Sequence, residues 1–499
     1  MAAHPESTAA AVSGSEDRSF FGHPRGLSTL FFTELWERFS YYGMRALLIL
    51  FMVAPVSNSG LGFPVSKAGA IYGVYTAMVF LASVPGGWIA DRLTGHRRAV
   101  VYGGILITLG HICLSIPSVA SFYLGLVFIV FGTGLLKPNT SIMVGNLYGE
   151  NDHRRDGGYS IYYMGINIGA FLSPLVCGYL GEKVNWHYGF AVAAVGMMLG
   201  LTQYLLGARY LGSIGLKPAP AASPAAARAQ RRQLLLACVP AGVLLIVLGV
   251  LSWSGALSIT AEGVADAAGV FLILVTVGCF GWLFAAAGSW SSVERKRLVA
   301  VVVLFVAACA FWANYEQAGS TLNLFAERNT RLTLLGYSYP ASWFQSLNPL
   351  FILVLAPFFA WLWVKLGPND PSSPAKFAWG LILVGLGFAI LVPVAHGGRV
   401  SPMWLLLCYL LQTAGELLLS PVGLSAVSKL APERLASMMM GLWFLADSVG
   451  NYIGGRLASV YETFSLPLLF ALVAGVTVAF GLVMLVLVPP VKKLMSGVN

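Results

Sequence analysis

The chain has little charge. Of its 499 residues only 10% are Asp, Glu, Lys or Arg, while 57% are hydrophobic. A soluble domain carries about 25% charged residues, so this inventory cannot cover a surface in water. Alternating segments of the kind that build a membrane β-barrel are missing as well, which leaves helices as the only backbone able to cross lipid. Cysteine is scarce: Cys113, Cys177, Cys238, Cys279, Cys309 and Cys408 all fall inside apolar runs, which excludes a disulfide framework and a zinc spacing. The seven histidines make no metal-binding cluster, so neither a metal nor a cofactor is expected. The stretch Met1 to Ser19 is polar and Ala/Ser-rich with no apolar core. It reads as a disordered cytosolic tail rather than a signal peptide.

What is present is apolar sequence in runs of about 20 residues or more, enough to cross about 30 Å of hydrocarbon as helix. Spans are read near 29–53, 67–93, 97–117, 119–148, 156–183 and 187–211, then 234–256 and 267–290. Six more follow near 296–326, 341–366, 375–395, 402–430, 434–461 and 464–489, giving fourteen. Lys and Arg set the orientation. With the N-terminus inside, the inner loops hold the bulk of them, among them Arg92, Arg97, Arg98, Arg154, Arg155, Arg231, Arg232, Arg295, Lys296 and Arg297. The outer side keeps only Lys67, Lys183, Arg328, Arg331, Arg399 and Arg456. Both termini are therefore expected in the cytoplasm, and the net charge of +10 belongs to inner loops rather than to a nucleic-acid surface.

The Pro/Ala-rich basic segment 212–233 has the composition of a cytosolic linker. The expected division is a cytosolic tail (1–26), a six-helix bundle (27–211), the linker (212–233), an inserted two-helix hairpin (234–291), a second six-helix bundle (292–490) and a tail (491–499). The fold class is thus an all-α integral membrane protein. It has six plus six helices on the major facilitator plan, in which the halves rock about a central site, and two inserted helices. The hairpin is almost free of polar residues away from its ends, so it is expected to be peripheral and lipid-facing.

Ionisable residues at bilayer depth cost at least about 2.5–3.5 kcal/mol each near a helix centre and are functional candidates by default. They are few: Glu34, Glu37, Arg38 and Arg45 on 29–53, Lys137 on 119–148, Glu316 on 296–326, Glu416 on 402–430 and Asp447 on 434–461. On the first of these helices Glu34, Glu37, Arg38, Tyr41, Tyr42 and Arg45 fall within an arc of about 140°, a polar stripe about 16 Å long. Leu35, Trp36, Phe39 and Met44 are left for lipid or neighbouring helices. A network that only locks helices together would need fewer polar groups, so the stripe is expected to face a cavity. Counting depth, Arg45 and Glu316 can pair in the outer half, and Lys137 can pair with either Glu37 or Glu416. Asp447 either lines the cavity or is hydrogen-bonded to its neighbours. The Gly pairs at 86–87 and 454–455, with Pro138, Pro349 and Pro421, are read as marks of kinks and close packing.

Six stretches resemble one family. The motif ExxERFxYYG, intact from Glu34 to Gly43, is similar to that of the proton-dependent oligopeptide transporters, members of the major facilitator superfamily. Residues 86–95 (GGWIADRLTG) resemble the facilitator loop between the second and third helices, and 159–169 (YSIYYMGINIG), 311–317 (FWANYEQ), 344–349 (FQSLNP) and 415–423 (GELLLSPVG) are similar to further stretches of the transporter family. The resemblance spans both halves, and bacterial members share the inserted pair. It implies that Glu34, Glu37 and Arg38 form a proton-coupling element, that Glu316 is the main proton acceptor, and that Arg45, Lys137 and Glu416 complete the gating and peptide-end-binding charges. Tyr41, Tyr42, Tyr75, Asn167, Asn348, Ser420 and Trp443 then line a peptide pocket; for each of these neutral residues ordinary helix packing is the competing reading. Two positions depart from some members. Gly73 stands about where animal transporters carry a histidine, which leaves coupling to carboxylates, and Phe80 replaces a frequent Tyr.

The function implied is proton-coupled import of di- and tripeptides by alternating access across a bacterial inner membrane, with protons as coupling ion, lipid as surroundings and a single chain as the working unit. A zwitterionic peptide would be clamped at its carboxylate by Arg45 and Lys137 and at its amine by Glu416. Buried carboxyls favour the protonated form unless a cation holds them ionised. A peptide that draws Arg45 away from Glu316 would thus favour protonation there, and the two ligands would bind cooperatively. The rival on the same fold is a proton-coupled transporter of nitrate or another small solute. A channel would ignore a proton gradient. An enzyme is not expected, because no Ser/Lys pair, paired Asp or metal set lies at depth.

Overall fold

The computed structural model describes residues 17–149, 152–218, 258–286, 290–431 and 436–496, with isolated positions between 219 and 257. Its helices, in chain order, are α1 (Gly26–Val53), α2 (Val65–Leu81, continued by Ser83–Ile89 and a π-helical turn, Ala90–Thr94), α3 (His96–Leu114), α4 (Val119–Asn146), α5 (Arg155–Lys183) and α6 (Trp186–Gly207). There follow α7 (Ala261–Ala286), α8 (Ser292–Tyr315) with a 3-10 turn (Glu316–Gly319), and α9 (Thr321–Asn329). A two-stranded hairpin, β1 (Thr333–Leu334) and β2 (Tyr337–Ser338), precedes a 3-10 turn (Ala341–Ser346) and α10 (Leu347–Leu366). The last four are α11 (Ser373–Ala389), α12 (Met403–Leu430), α13 (Ala436–Ser459) and α14 (Leu466–Leu494).

Among the described residues eleven helical segments are long and apolar enough to cross a membrane. Helices α1 and α13, 28 and 24 residues long, match two further expected spans; α1 is long enough but carries Glu34, Glu37, Arg38 and Arg45. The expected span 234–256 lies outside the described residues, as do the expected tail residues before Asp17. One span differs in shape from its reading. The expected helix over 296–326 is interrupted at Glu316–Gly319, where α8 tightens before α9 carries it on to Asn329.

The ends of the helices follow local chemistry. Ser291 and Glu294 make a capping box at the start of α8, the Ser291 hydroxyl accepting from Glu294 N (3.2 Å) and the Glu294 carboxylate from Ser291 N (2.7 Å). Asn185 accepts from His187 N at 2.9 Å and starts α6 immediately after α5. The outward faces are apolar: Phe131, Leu274, Val354 and Val486 are all more than half exposed, as a lipid-facing surface requires.

Within the first half α1 packs on α5 and α6, and α3 on α4 and α6; within the second, α11 packs on α12 and α14, and α8 on α13. The halves meet mainly through α2 on α13 and through α5 on α10 and its preceding turn. At the α2–α13 crossing a side chain on Gly455 would put its Cβ 2.1 Å from Gly73 Cα, so the two backbones touch only because both residues are glycine. Helix α7 lies against α2, with Tyr452 donating to Ala265 O (2.9 Å) and Arg456 pairing Asp266 (3.0 Å). Its other faces, including Ile273, Leu274 and Val277, are exposed, in keeping with a peripheral place.

The described chain starts and ends at the same end of the bundle. There Arg154 donates to Asp17 O and Gly22 O, Arg97 to Ile214 O, and Arg297 to Ser496 O; this is the near end. At the far end Lys183 donates to Ser338 across the halves, while Arg328 pairs with Glu462 and Arg331 N donates to Val400 O within the second half. At the near end Asp152 accepts from Arg154 (2.8 Å) and its carboxyl is pulled down to about 2, chiefly by that side-chain hydrogen bond.

Candidate functional site: buried charge between the two halves

Helix α1 turns its polar stripe inward. Glu34, Glu37, Arg38 and Arg45 are each at most 6% exposed, and Tyr41 is buried while Tyr42 is half-buried. The opposite face packs: Phe39 and Trp36 lie against Gly196 and Gly200 of α6, and the Leu35 backbone against Gly169 of α5. Low charge elsewhere makes this one face conspicuous, and the packing explains why it cannot turn toward lipid.

Two clusters form along the stripe. Nearer the chain ends, Glu34 Oε2 accepts from Tyr162 OH (2.6 Å) and Thr140 Oγ1 (3.0 Å), and Thr140 and Tyr162 are 2.8 Å apart. Arg38 Nε lies 3.2 Å from Glu34 Oε1 and also pairs with Glu37. Glu37 Oε1 and Arg38 Nη2 are buried and find no hydrogen-bond partner among the described residues. Unpartnered buried polar atoms are costly, so these two atoms have hydrogen-bonding capacity to spare.

The second cluster joins the halves. Arg45 Nη2 donates to Glu316 Oε2 at 2.5 Å and Arg45 Nε to Tyr72 OH at 2.7 Å. The break in α8 makes this possible, since the 3-10 turn at Glu316–Gly319 sits beside α1 and α2. A Cβ on Gly319 would lie 2.0 Å from Tyr72 OH and 2.9 Å from Arg45 Nε, so a larger residue there would displace the side chains that hold the pair. Asn323 and Gln345 both donate to Ala46 O on α1 (2.8 and 3.4 Å). The pairing expected from depth alone is thus present.

The other candidates divide. Glu416 Oε2 accepts from Asn348 Nδ2 (2.9 Å), which also donates to Thr413 (3.0 Å), and the Tyr315 hydroxyl bonds the same carboxylate. Lys137 corrects its reading: it makes no ion pair with Glu37 or Glu416, and its Nζ rests 4.1 Å from the Phe80 ring centroid. A phenyl ring is an adequate partner for an ammonium, and it leaves the charge available. Tyr75 is buried with its hydroxyl unpartnered among the described residues. Asn167 Nδ2 donates back to Tyr163 O (2.9 Å), and Ser420 is half-buried one turn beyond Glu416. Trp443 is buried in the α11–α12 packing, its ring 6.4 Å from Phe377 and pressed on Gly423. Asp447 accepts from Asn451 at 3.0 Å on its own helix, which favours the neighbour-bonded alternative. Tyr162, Thr140, Tyr72 and Tyr315 hold the charged groups and were not named from sequence; Tyr162 and Tyr315 do lie inside two of the quoted motifs.

Among the described residues no group of His, Cys, Asp and Glu could hold a metal ion. Among the described residues, hydrogen bonds and ion pairs between the halves lie at mid-depth or toward the far end, among them Arg45–Glu316, Ser448 to Ala77 O, Ser346 to Phe171 O and Trp343 to Leu175 O. The far end is shut.

Comparison with known proteins agrees with this geometry. The model of the POT family matches residues 97–469. A di-/tripeptide transporter of Lactococcus lactis subsp. cremoris is 40% identical over 97% of this chain and 99% of its own length. An uncharacterized transporter of Bacillus subtilis is 43% identical, over 96% and 97% respectively. Among solved structures, the peptide transporter POT in complex with sulfate superposes with a TM-score of 0.92 at 43% identity, covering 99% of this chain and 100% of that one. Together with thirteen long helices in the described residues, these matches place the chain among multi-pass membrane proteins of the POT family, to which it belongs.

Proposed function

We propose that this protein is a symporter that couples the inward movement of protons to the import of di- and tripeptides. The observation that carries this reading is the buried Arg45–Glu316 pair across the two halves, set beside acceptors and donors suited to both ends of a zwitterion. It is supported by a relative named as a di-/tripeptide transporter and by a similar structure, of a mutant peptide transporter, in complex with alafosfalin.

The far end is the outer face in this reading, both termini are cytoplasmic, and the shut far end corresponds to an inward-facing state of a single chain in the inner membrane. With the pair intact, Glu316 stays ionised and the outer face stays shut. A peptide carboxylate competes for Arg45 while Lys137, free of any carboxylate within 4.0 Å among the described residues, provides a second cation. The peptide amine goes to Glu416. Glu316, released from Arg45 in a low-dielectric site, takes up a proton, so peptide and proton binding reinforce each other. Return to the inward-facing state at higher internal pH releases both.

The competing reading is another small solute such as nitrate on the same fold. A single anion would leave Glu416 and its Asn348 and Tyr315 partners without a role. The deciding experiment is uptake of labelled dialanine into proteoliposomes in the presence of excess nitrate or unlabelled tripeptide. Inhibition by tripeptide and not by nitrate, with dialanine recovered intact inside, is expected; the reverse pattern would overturn the proposal.

A further inference from the structure

At the far end of α5 a carboxylate does work that the Arg45–Glu316 pair does not cover. Glu182 belongs to the first half of the molecule, yet both of its oxygens face the second. Oε2 accepts from Ala341 N at 2.8 Å and Oε1 from Ser342 N at 2.9 Å. These two N–H groups open the 3-10 turn Ala341–Ser346 that leads directly into α10. They belong to the orphan donors at a helix start, at the positive end of the helix dipole. An ionised carboxylate satisfies both at once with charge-assisted bonds. A protonated carboxyl cannot: it keeps one good acceptor and turns the other oxygen into a donor facing an N–H.

The contact heads a short ladder between α5 and the turn that opens α10. Next to it Trp343 Nε1 donates to Leu175 O (3.1 Å) and Ser346 Oγ to Phe171 O (2.8 Å), so α5 and the entry to α10 stay zipped while Glu182 holds. Glu182 also lines a cavity of about 630 Å³ at this end, with Asn58, Asn185, Trp186, Glu327 and Arg328. That cavity gives protons a route to the carboxylate.

The charged groups around it leave it free to respond. Lys183, on the same helix, donates to Ser338 Oγ (2.9 Å). On the α9 side, Arg328 is held by Glu462 (2.6 Å) and Glu327 (3.6 Å). His187 at the start of α6 faces Leu114 O (3.2 Å). The stretch from Leu50 to Phe63 and the turn Ala341–Ser346 contain no ionisable side chain.

We infer that Glu182 is a second, proton-operated clasp of the far-end gate, acting at the mouth and apart from the Arg45–Glu316 pair. Acid on that side protonates Glu182, one of its two bonds to the α10 entry is lost, and the gate loosens toward the face from which protons and substrate load. The inference rests on the transporter reading for its purpose but not for its geometry, so its test separates the two.

Spin labels at Val184 and Leu335, both more than half exposed, report the separation of α5 from the hairpin before α10 in the full-length protein. The background has its native cysteines replaced. Wild type is expected to shift toward long distances as pH falls from 8 to 5. Glu182→Gln, which keeps one acceptor and no charge, is expected to show about a tenfold larger long-to-short ratio than wild type at pH 8, the worth of one charge-assisted hydrogen bond, and to converge with wild type at pH 5. Glu182→Asp, charged but shorter, is expected to retain pH dependence and serves as the folding control. Superimposable distance distributions for wild type and Glu182→Gln at both pH values would overturn the inference. Failure of wild type to transport dialanine would instead remove the peptide reading and leave this result standing.

Discussion

Replacing Glu316 by Gln probes the seam most sharply. In the shut state Arg45 and Glu316 are 6% and 5% exposed, and the guanidinium has only neutral partners besides that carboxylate: Tyr72 OH at 2.7 Å and Glu316 O at 3.4 Å. Removing one charge of a buried pair costs about 3–5 kcal/mol. Gln preserves a hydrogen bond, so the lower figure, about 3 kcal/mol, applies. The cost falls on the shut state alone, because opening separates the pair and hydrates Arg45. At about 1.4 kcal/mol per tenfold, the shut-to-open ratio falls roughly a hundredfold. Ser320 offers a reporter: it is fully buried, follows Gly319, and its hydroxyl has no partner among the described residues. Labelling of Ser320→Cys by an impermeant thiol reagent, in a background stripped of native cysteines, is expected to accelerate roughly a hundredfold when Glu316→Gln is added. Gradient-driven accumulation should be lost in the same variant. A labelling rate within twofold of the parent, or full accumulation, would refute the reasoning.

Three other variants test separate pieces. Tyr162→Phe removes the 2.6 Å bond to buried Glu34 and should lower stability by about 1–3 kcal/mol, read as a lower thermal midpoint in detergent; an unchanged midpoint would contradict the role given to Tyr162. Gly455→Ala drives a Cβ to 2.1 Å from Gly73 and, as overpacking, should cost about 1–3 kcal/mol; unaltered melting and uptake would mean that the helices part more easily than described. Lys137→Gln breaks no ion pair, so stability should move by less than about 1 kcal/mol, the scale of its cation–π contact, while the KM for dialanine rises tenfold or more. A large loss of stability with unchanged KM would reverse that assignment.

Much of this architecture is visible in the sequence because lipid restricts the choices so severely. Long apolar runs can only be helices, and the few ionisable residues within them must face inward, so the α1 stripe could be read from its arc. Depth along a helix then matched Arg45 to Glu316. Depth carries no information on azimuth, however, and Lys137, at a suitable level for Glu37 or Glu416, points at Phe80 instead. The interruption of α8 is hidden because no proline or turn pair marks Glu316–Gly319 within the long expected span; the glycine at 319 is its one mark. Glu182 went unread because a Glu–Lys pair at a helix end looks like ordinary surface charge, and its partners are backbone N–H groups that no sequence pattern displays. For Trp443 the sequence left pocket lining and helix packing open, and its ring packs on Phe377 and Gly423 of α11 and α12.

The central claim is coupling, and one measurement addresses it directly. Proteoliposomes holding the purified protein are given labelled dialanine outside, with the interior at higher pH than the exterior. The account predicts accumulation above the external concentration, abolished by a protonophore or by equal pH on both sides. Accumulation that persists without the proton gradient, or entry that never exceeds equilibration while the gradient holds, would contradict it.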